Sequence, residues 1–235
     1  MKEMGVNSVR CSHNPPSLEL LDLCDEMGIL VMDEAFDMWR QRKTERDYAR
    51  FFEQWHERDL TDLVVRDRNH PCIIMWSIGN EVPSQWKEGG LEVAAWLQDL
   101  YHKEDPTRPV TCGMDQFDAV VTNGFAAQLD IVGFNYKVGR YQQAYDVLPQ
   151  RLILGSETAS TVSSRGVYHF PPAIAADKMT EDHQSCSYDM EHCRWSNIPD
   201  DDFAADEDYD WCMGQFVWTG FDYLGEPSPY DTDAW

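Results

Sequence analysis

Two glutamates lie at positions where burying a carboxylate costs free energy unless the group is paired or reacts. Glu81 follows the apolar run 73–80, and Glu157 follows the apolar run 152–156. A carboxylate at the mouth of a buried strand loses hydration, so it must be paired or used chemically. Two carboxylates at one mouth can divide the work, one kept protonated as an acid and the other ionised as a nucleophile. On spacing alone, either glutamate could instead pair with a cation such as Arg10.

Other polar and aromatic side chains also cluster where apolar runs end. Arg10 lies at the end of the first run and His13 just beyond it, where they form a polar corner, and Asn80 directly precedes Glu81. Tyr136 and Trp218 lie at the ends of two later runs, where an aromatic ring can stack on the face of a pyranose. These residue types favour a sugar ligand, and a purely structural role is the alternative for each of them.

Four further polar residues are interpreted as supporting groups. Asp33 and Glu34 end the second apolar run, and we interpret them as an ion-pair network that supports the mouth. Asp37 is typical of a solvated side chain. His70 precedes a proline at a helix–strand boundary, which indicates a structural role.

Seven short apolar runs are the strand candidates that must position these residues. Most of them lack alternation, as expected for strands buried on both faces. Helical periodicity lies between the runs, most clearly over 20–27, 51–68 and 93–101, and Gly28 is a stop signal for the first helix. The strand candidates are 6–11, 29–35, 72–78, 109–113, 130–135, 151–156 and 214–221.

This alternation of strands and helices predicts an α/β fold of parallel units. Seven units approach a (β/α)8 TIM barrel of about 250 residues, in which the carboxyl ends of the strands build the active site. A doubly wound open sheet is the alternative, but the Gly-rich loop expected after an early strand is absent. Between 160 and 211 we find no clean helix, and we expect an ordered loop at the active site.

Composition excludes several classes of partner. The 235 residues include 19 Lys+Arg and 42 Asp+Glu, giving a net charge of −23, which is too acidic for a nucleic-acid or anionic-membrane partner. No apolar run approaches the roughly 20 residues that span a bilayer. The seven cysteines show no zinc spacing, so we expect buried free thiols.

Five blocks of this sequence resemble the catalytic barrel of glycoside hydrolase family 2. They are RCSHNPP at 10–16, LVMDEAF at 30–36, RDRNHPCIIMWSIGNEV at 66–82, LILGSETAS at 152–160 and GQFVWTGFDYLGEPSPY at 214–230. The blocks occur in the family's order and spacing over nearly the whole chain, and the NHP…WSIGNE block is highly specific. Within the family, the chain looks most like bacterial β-galactosidases. β-Glucuronidase and β-mannosidase are alternatives, and a glucuronidase would need a cation for which Arg10 is the obvious candidate.

The resemblance implies a role for each residue that matches a family motif. Glu81 matches the general acid/base and Glu157 the nucleophile of a retaining glycosidase, whose carboxyl groups lie about 5–5.5 Å apart. Tyr136 matches a tyrosine that donates a hydrogen bond to the nucleophile. The remaining matches are sugar contacts: Asn80 at the 2-hydroxyl, His13 with Arg10 near other hydroxyls, and Trp218 as the platform under the ring.

The resemblance implies no cofactor. Some large galactosidases of the family bind magnesium through a Glu and a His shortly after the strand-three DEA. The corresponding stretch here, 36–40, reads FDMWR, with Met38 and Arg40 in those places. We therefore predict no metal site there.

The resemblance also implies that residues 1–235 form a partial barrel domain. The family's first barrel strand and its N-terminal β-domains are expected outside this chain, so strands two to eight are present. Two exposed sheet edges would make the chain poorly stable or prone to associate. The expected partners are a carbohydrate substrate, a β-galactoside, and the remaining domains of a longer chain. A homo-oligomer and an inactive carbohydrate-binding fragment stay open, as do periplasm and cytoplasm as the compartment of a bacterial protein.

Overall fold

A seven-stranded parallel sheet forms the centre of the computed structural model, which describes residues 1–221. Each strand pairs in parallel with its neighbour in the order β1-β2-β3-β4-β5-β6-β9, and a separate pair, β7 and β8, precedes the last strand. All seven strand predictions are confirmed, although residues 222–230 of the fifth block lie outside the described part. The strands are β1 (Ser8–Arg10), β2 (Leu30–Glu34), β3 (Ile73–Asn80), β4 (Val110–Met114), β5 (Val132–Asn135), β6 (Ile153–Ala159), β7 (Ala175–Ala176), β8 (Glu191–His192) and β9 (Cys212–Trp218).

Helices occupy most of the connections between these strands. The three predicted helices are confirmed as α1, α2 and α3. Helix α1 begins where the Ser17 side chain accepts a hydrogen bond from the Leu20 N–H, and it ends at Gly28 in the left-handed conformation, with φ of 68°, as caps of both kinds do. The helices are α1 (Leu18–Met27), α2 (Ala49–Asp67), α3 (Gly90–Glu104), α4 (Phe117–Thr122), α5 (Phe125–Gln128), α6 (Tyr141–Val147) and α7 (Pro199–Asp208).

The apolar core has two parts. The larger part lies between the sheet and the helices and includes the fully buried rings of Trp76 and Tyr101. The smaller part contains Met32 and Leu154 among its buried side chains. Met32 lies two residues before Glu34 on β2, and residues two apart share a face of a strand. The smaller core therefore packs on the same face of the sheet as Glu34, which lies at the carboxyl end of β2.

The sheet curves until its two end strands approach each other. β1 and β9 are the termini of the strand order and come into contact. The ring of Trp218, the last residue of β9, stacks on the ring of His13, which follows β1, with centroids 5.5 Å apart and planes within 3°. Seven parallel β/α strands in a nearly closed ring confirm the prediction of an incomplete TIM barrel.

The expectation of no helix between 160 and 211 is wrong. Helix α7 begins at Pro199, and the three aspartates that follow it lie in the first turn. Proline at the first helical position and acidic residues in the first turn both favour a helix start. The weak apolar periodicity of this segment hid the helix. Asp202 anchors α7 beside the end of β6, because its carboxylate accepts a hydrogen bond from the Ala159 N–H at 3.0 Å.

The seven cysteines are free thiols, and six of them are buried, as predicted; Cys212 is only partly buried. Within residues 1–221, no helix combines the length and the apolar character that a membrane span requires.

Candidate active site

Arg10 is the central cation of the mouth formed by the carboxyl ends of the strands. Its side chain is 3% exposed. Its Nη1 donates to Glu157 Oε1 at 2.7 Å, and its Nη2 donates to Glu34 Oε2 at 2.8 Å and to Asn80 Oδ1 at 2.9 Å. One guanidinium thus ties together the ends of β1, β2 and β3, and the Glu157 position on β6. Charge-assisted hydrogen bonds of this kind are stronger than neutral ones.

Glu34 balances this cation and orients His13. The fully buried Glu34 carboxylate accepts hydrogen bonds from Arg10, from Ser77 Oγ at 2.6 Å and from His13 Nδ1 at 2.7 Å. Burial would raise the pKa of Glu34, but the charge of Arg10 and the bonds from His13 and Ser77 lower it to about 2. Glu34 is therefore ionised, and it holds His13 Nε2 3.4 Å from Glu157 Oε1.

Asp33 has no part in this network, contrary to the ion-pair interpretation. Its neighbour Glu34 faces the mouth, and alternation along the strand turns Asp33 to the opposite face. There it is fully buried beside Asp67, which pairs with Arg66. Burial and the negative charge of Asp67 raise the pKa of Asp33 well above its usual range.

Glu157 accepts hydrogen bonds at both of its carboxylate oxygens. Oε1 is bonded by Arg10, and Oε2 accepts from the Tyr136 hydroxyl at 2.9 Å. The Glu157 residue is 5% exposed. Burial and the neighbouring Glu157 charge raise the pKa of Tyr136, so its hydroxyl keeps the proton that it donates. An ionised carboxylate is a pure acceptor, and this environment fits one.

Glu81 has a different environment, although it lies at the same mouth. One of its oxygens accepts from Asn135 Nδ2 at 3.0 Å. Burial raises the pKa of Glu81, and the negative charges of Asp115 and Glu157 raise it further, against the opposing effects of Asn135 and Lys43. The pKa of the Glu81 carboxyl group is thus raised, which is the direction that a general acid requires.

Left-handed backbone turns consecutive side chains toward the mouth. Successive side chains of a strand normally point to opposite faces, yet Asn80 and Glu81 both bond to Asn135 Nδ2. Tyr136 likewise reaches Glu157 although it directly follows Asn135. Glu81 has φ of 40° and Tyr136 has φ of 56°. Such backbone costs a non-glycine residue about 1–3 kcal/mol and clusters at functional sites.

A bulge has the same effect on β6. Phe134 of β5 pairs with Gly155, but the next residue, Asn135, pairs with Glu157, so Ser156 is an extra residue in the ladder. Bulges of this kind re-aim side chains at the rims of barrels. Ser156 Oγ consequently donates to Asn135 Oδ1 at 2.7 Å while its neighbour Glu157 also faces the mouth.

The mouth also contains three supporting residues that were assigned no role from the sequence. Asn135 and Ser156 connect the ends of β3, β5 and β6. Lys43 lies in the charged segment 41–47, which has no periodicity to reveal it. Its Nζ donates to Asp37 Oδ1 at 2.6 Å and to the Asn80 carbonyl at 2.7 Å. Asp37 is therefore an ion-pair partner, and interpreting it as merely solvated was wrong.

Potential metal donors cluster at the opposite end of the sheet. Within the part of the chain that the structure describes, Asp25, His70 and Cys72 are the group whose donor atoms lie within 4.8 Å of one another. The Asp25 carboxylate already accepts from His70 Nδ1 at 2.7 Å and from the Cys72 N–H at 2.8 Å. These bonds fix the start of β3, in keeping with a structural His70. The absence of magnesium at 36–40 stays a prediction.

All seven predicted site residues meet at one end of a parallel β/α barrel. The chain belongs to glycosyl hydrolase family 2, because the model of the family's TIM barrel domain matches residues 1–231. It is 40% identical to a β-galactosidase of Bacteroides ovatus, over the whole chain and 32% of that protein. It is 29% identical to a β-glucuronidase of Streptococcus agalactiae, over 95% of the chain and 39% of that protein.

The fold is also that of solved family relatives. A β-glycosidase from Bacteroides vulgatus superposes with a TM-score of 0.77 at 35% identity, over 96% of this chain and 31% of its own. The chain thus spans about a third of the length of the relatives that it matches. Relatives named for different sugars fit the same barrel, so the family membership defines a glycosidase domain without fixing the sugar.

Proposed function

We propose that this domain hydrolyses terminal non-reducing β-D-galactosyl residues with retention of anomeric configuration. The observation that supports this most is the contrast between two carboxyl groups at one mouth. The surroundings of Glu81 raise the pKa of its carboxyl group, whereas Glu157 lies between a guanidinium and a phenol that both donate to it. Double displacement requires two carboxyl groups with such different environments, one as the acid/base and the other as the nucleophile.

In the first step, a Glu157 oxygen attacks the anomeric carbon. The bond from that carbon to the leaving oxygen breaks, and Glu81 gives its proton to that oxygen. In the second step, Glu81 takes a proton from water while the water oxygen attacks the same carbon and releases Glu157. Two inversions give net retention.

The charge of Glu157 couples the two steps. While Glu157 is ionised, its charge raises the pKa of Glu81, which favours the proton-donating role of the first step. When Glu157 becomes esterified, that charge disappears, so the pKa of Glu81 falls and it becomes the base that the second step needs.

The sugar would lie against the aromatic pair of His13 and Trp218 at the ends of β1 and β9. Trp218 stacks on His13, and we assign to Trp218 the platform under the pyranose ring. Asn80, held by Arg10 and Asn135, would bind the 2-hydroxyl, and Arg10 and His13 complete the polar corner. Because each of these groups is fixed by a partner, the ligand would meet a preorganised site.

A neutral sugar is favoured because two of the cations at the mouth are already engaged. Arg10 is bonded to Glu34, Glu157 and Asn80, and Lys43 is paired with Asp37. The higher identity to a galactosidase than to a glucuronidase supports the same choice.

A uronide is the second candidate substrate, and Lys137 is the observation in its favour. Lys137 directly follows Tyr136, and its Nζ makes a 3.5 Å bond to the Tyr136 carbonyl. A substrate carboxylate could therefore recruit this ammonium, which the sequence analysis overlooked when it named Arg10 as the obvious cation.

The test is hydrolysis of a panel of aryl β-galactosides, β-glucuronides and β-mannosides. Glu157→Gln should abolish turnover while circular dichroism shows an unchanged fold, and Glu92→Gln on the exposed surface of α3 is the matched control. A Glu157→Gln variant that keeps a tenth of the wild-type rate would refute the assignment. Preference for the glucuronide would favour the uronide, and sugar binding without hydrolysis of any substrate would favour an inactive carbohydrate-binding fragment.

A further inference from the structure

Lys43 fastens the loop between β2 and α2 to the end of β3. Its ammonium has two acceptors, the Asp37 carboxylate at 2.6 Å and the Asn80 carbonyl at 2.7 Å, and its side chain is 23% exposed. The loop itself is held in place, because Asp47 Oδ2 accepts from the backbone N–H groups of Lys43 and Thr44 at 2.7 and 2.8 Å. The position of the Lys43 ammonium at the end of β3 is therefore fixed by the hydrogen bonds within this loop.

The peptide bond that Lys43 contacts is the one that joins Asn80 to Glu81. Its carbonyl accepts from Lys43, and its N–H, that of Glu81, donates to the Gly113 carbonyl at 2.8 Å. Both polar groups of this peptide unit are thus held. The next backbone torsion is the φ of 40° that turns Glu81 toward the mouth. A less favoured conformation of this kind persists only where its surroundings fix it.

We propose that Lys43 is a positioning residue for the acid/base, which holds the Asn80–Glu81 peptide and presents a fixed positive charge to the Glu81 carboxyl group. This inference rests on the proposed function, because it assigns a purpose to Glu81. It adds a residue from outside the strand ends to the apparatus of proton transfer.

The charges around Glu81 determine in which direction its pKa changes when Lys43 is replaced. Asp115 and Glu157 face Glu81 with negative charge and raise its pKa, whereas Lys43 and the hydrogen bond from Asn135 lower it. Removing Lys43 leaves only the hydrogen bond from Asn135 to oppose the negative groups, and it also removes the cation that is paired with Asp37. Both changes make Glu81 harder to ionise, so its pKa rises.

The test compares Lys43→Met with Lys43→Arg, which keeps the charge, and with Lys103→Met on the exposed surface of α3. The pH dependence of kcat/KM is measured with an aryl β-galactoside. The Glu81 carboxyl group is titrated directly by carbon-13 NMR in protein labelled at glutamate, and its resonance is the one that Glu81→Gln removes. In Lys43→Met we expect kcat/KM at the optimum to fall about tenfold, because a charged hydrogen bond is lost.

The alkaline limb of the profile and the NMR midpoint should both move to higher pH in Lys43→Met, by about half a pH unit for a partly exposed, paired cation. Lys43→Arg should restore both, and Lys103→Met should change neither. Lost activity with an unmoved limb and midpoint would make Lys43 merely structural and overturn the proposal, as would an equal shift in Lys103→Met. If the wild-type chain hydrolyses nothing, the proposed function fails, and the NMR midpoint alone decides for or against Lys43.

Discussion

Replacing Arg10 with Met should destabilise the fold strongly at neutral pH and much less in acid. Arg10 lies between Glu34 and Glu157, and all three side chains are at most 7% exposed. Methionine fills much of the same space but leaves both carboxylates without their cation. Breaking a buried pair by removing one partner costs about 3–5 kcal/mol, so we expect a loss of that size at pH 7.

The pH dependence follows from Glu34. Its pKa in the folded protein, about 2, lies below the ordinary 4.5. Ionised Glu34 therefore stabilises the fold above pH 4.5, and this contribution is lost as the pH falls toward 2. A difference of this size corresponds to about 3 kcal/mol, of which about 2 kcal/mol is already lost at pH 3. Without Arg10 the carboxyl group has little such contribution to lose, so the two proteins should converge in acid.

The assay is urea unfolding of both proteins at pH 7 and pH 3, followed by tryptophan fluorescence. Arg58→Met is the control, because Arg58 pairs with Asp62 at 3.5 Å where both side chains are about 70% exposed. Such a surface pair contributes about 0.5 kcal/mol or less. A loss below about 1 kcal/mol in Arg10→Met at pH 7, or a gap of equal size at both pH values, would refute the reasoning about this network.

Two further substitutions test other parts of the structure. Tyr136→Phe removes the 2.9 Å hydrogen bond to Glu157, so kcat for an aryl β-galactoside should fall about tenfold or more in a variant that circular dichroism shows to be folded; a fall of less than about twofold would contradict a role in orienting the nucleophile. Asp33→Asn removes a buried acid whose pKa is raised by burial and by Asp67. An acid of this kind destabilises the fold once the pH exceeds the pKa that the group has in the unfolded chain. The variant should therefore melt about 3 °C higher than wild type at pH 8, with the difference shrinking at pH 5; a variant that melts lower at pH 8 would show that Asp33 is stabilising when ionised.

The fold could be predicted from the sequence wherever burial acts on a whole element. Buried parallel strands need continuous apolar runs, so each of the seven runs became a strand. Amphipathic periodicity revealed α1, α2 and α3 for the same reason. Helix α7 escaped because its evidence is confined to its first turn, where Pro199 and the following aspartates stabilise the end of a helix without marking an apolar face.

The site was predictable only where a residue lies at or just beyond the carboxyl end of an apolar run. This rule found Glu81 and Glu157, but it treated Asp33 and Glu34 alike although alternation sends them to opposite faces. It also missed Lys43, which reaches the mouth from the middle of a charged loop. Loop residues have no periodicity that ties them to one face, so their contacts appear only in three dimensions.

The left-handed residues explain why the strand-end rule works as well as it does. Strict alternation would bring only one of Asn80 and Glu81 to the mouth, and only one of Asn135 and Tyr136. Positive φ at Glu81 and Tyr136 brings both members of each pair there, and the bulge at Ser156 does the same on β6. Glycine would adopt this backbone with less strain, but it has no side chain that could take part in the reaction. Glu81 and Tyr136 therefore adopt the left-handed conformation despite its cost in free energy. The network around Arg10 and the bonds to the Asn80–Glu81 peptide stabilise the same strand ends, which is why we expect stability and activity to depend on the same few side chains in this barrel.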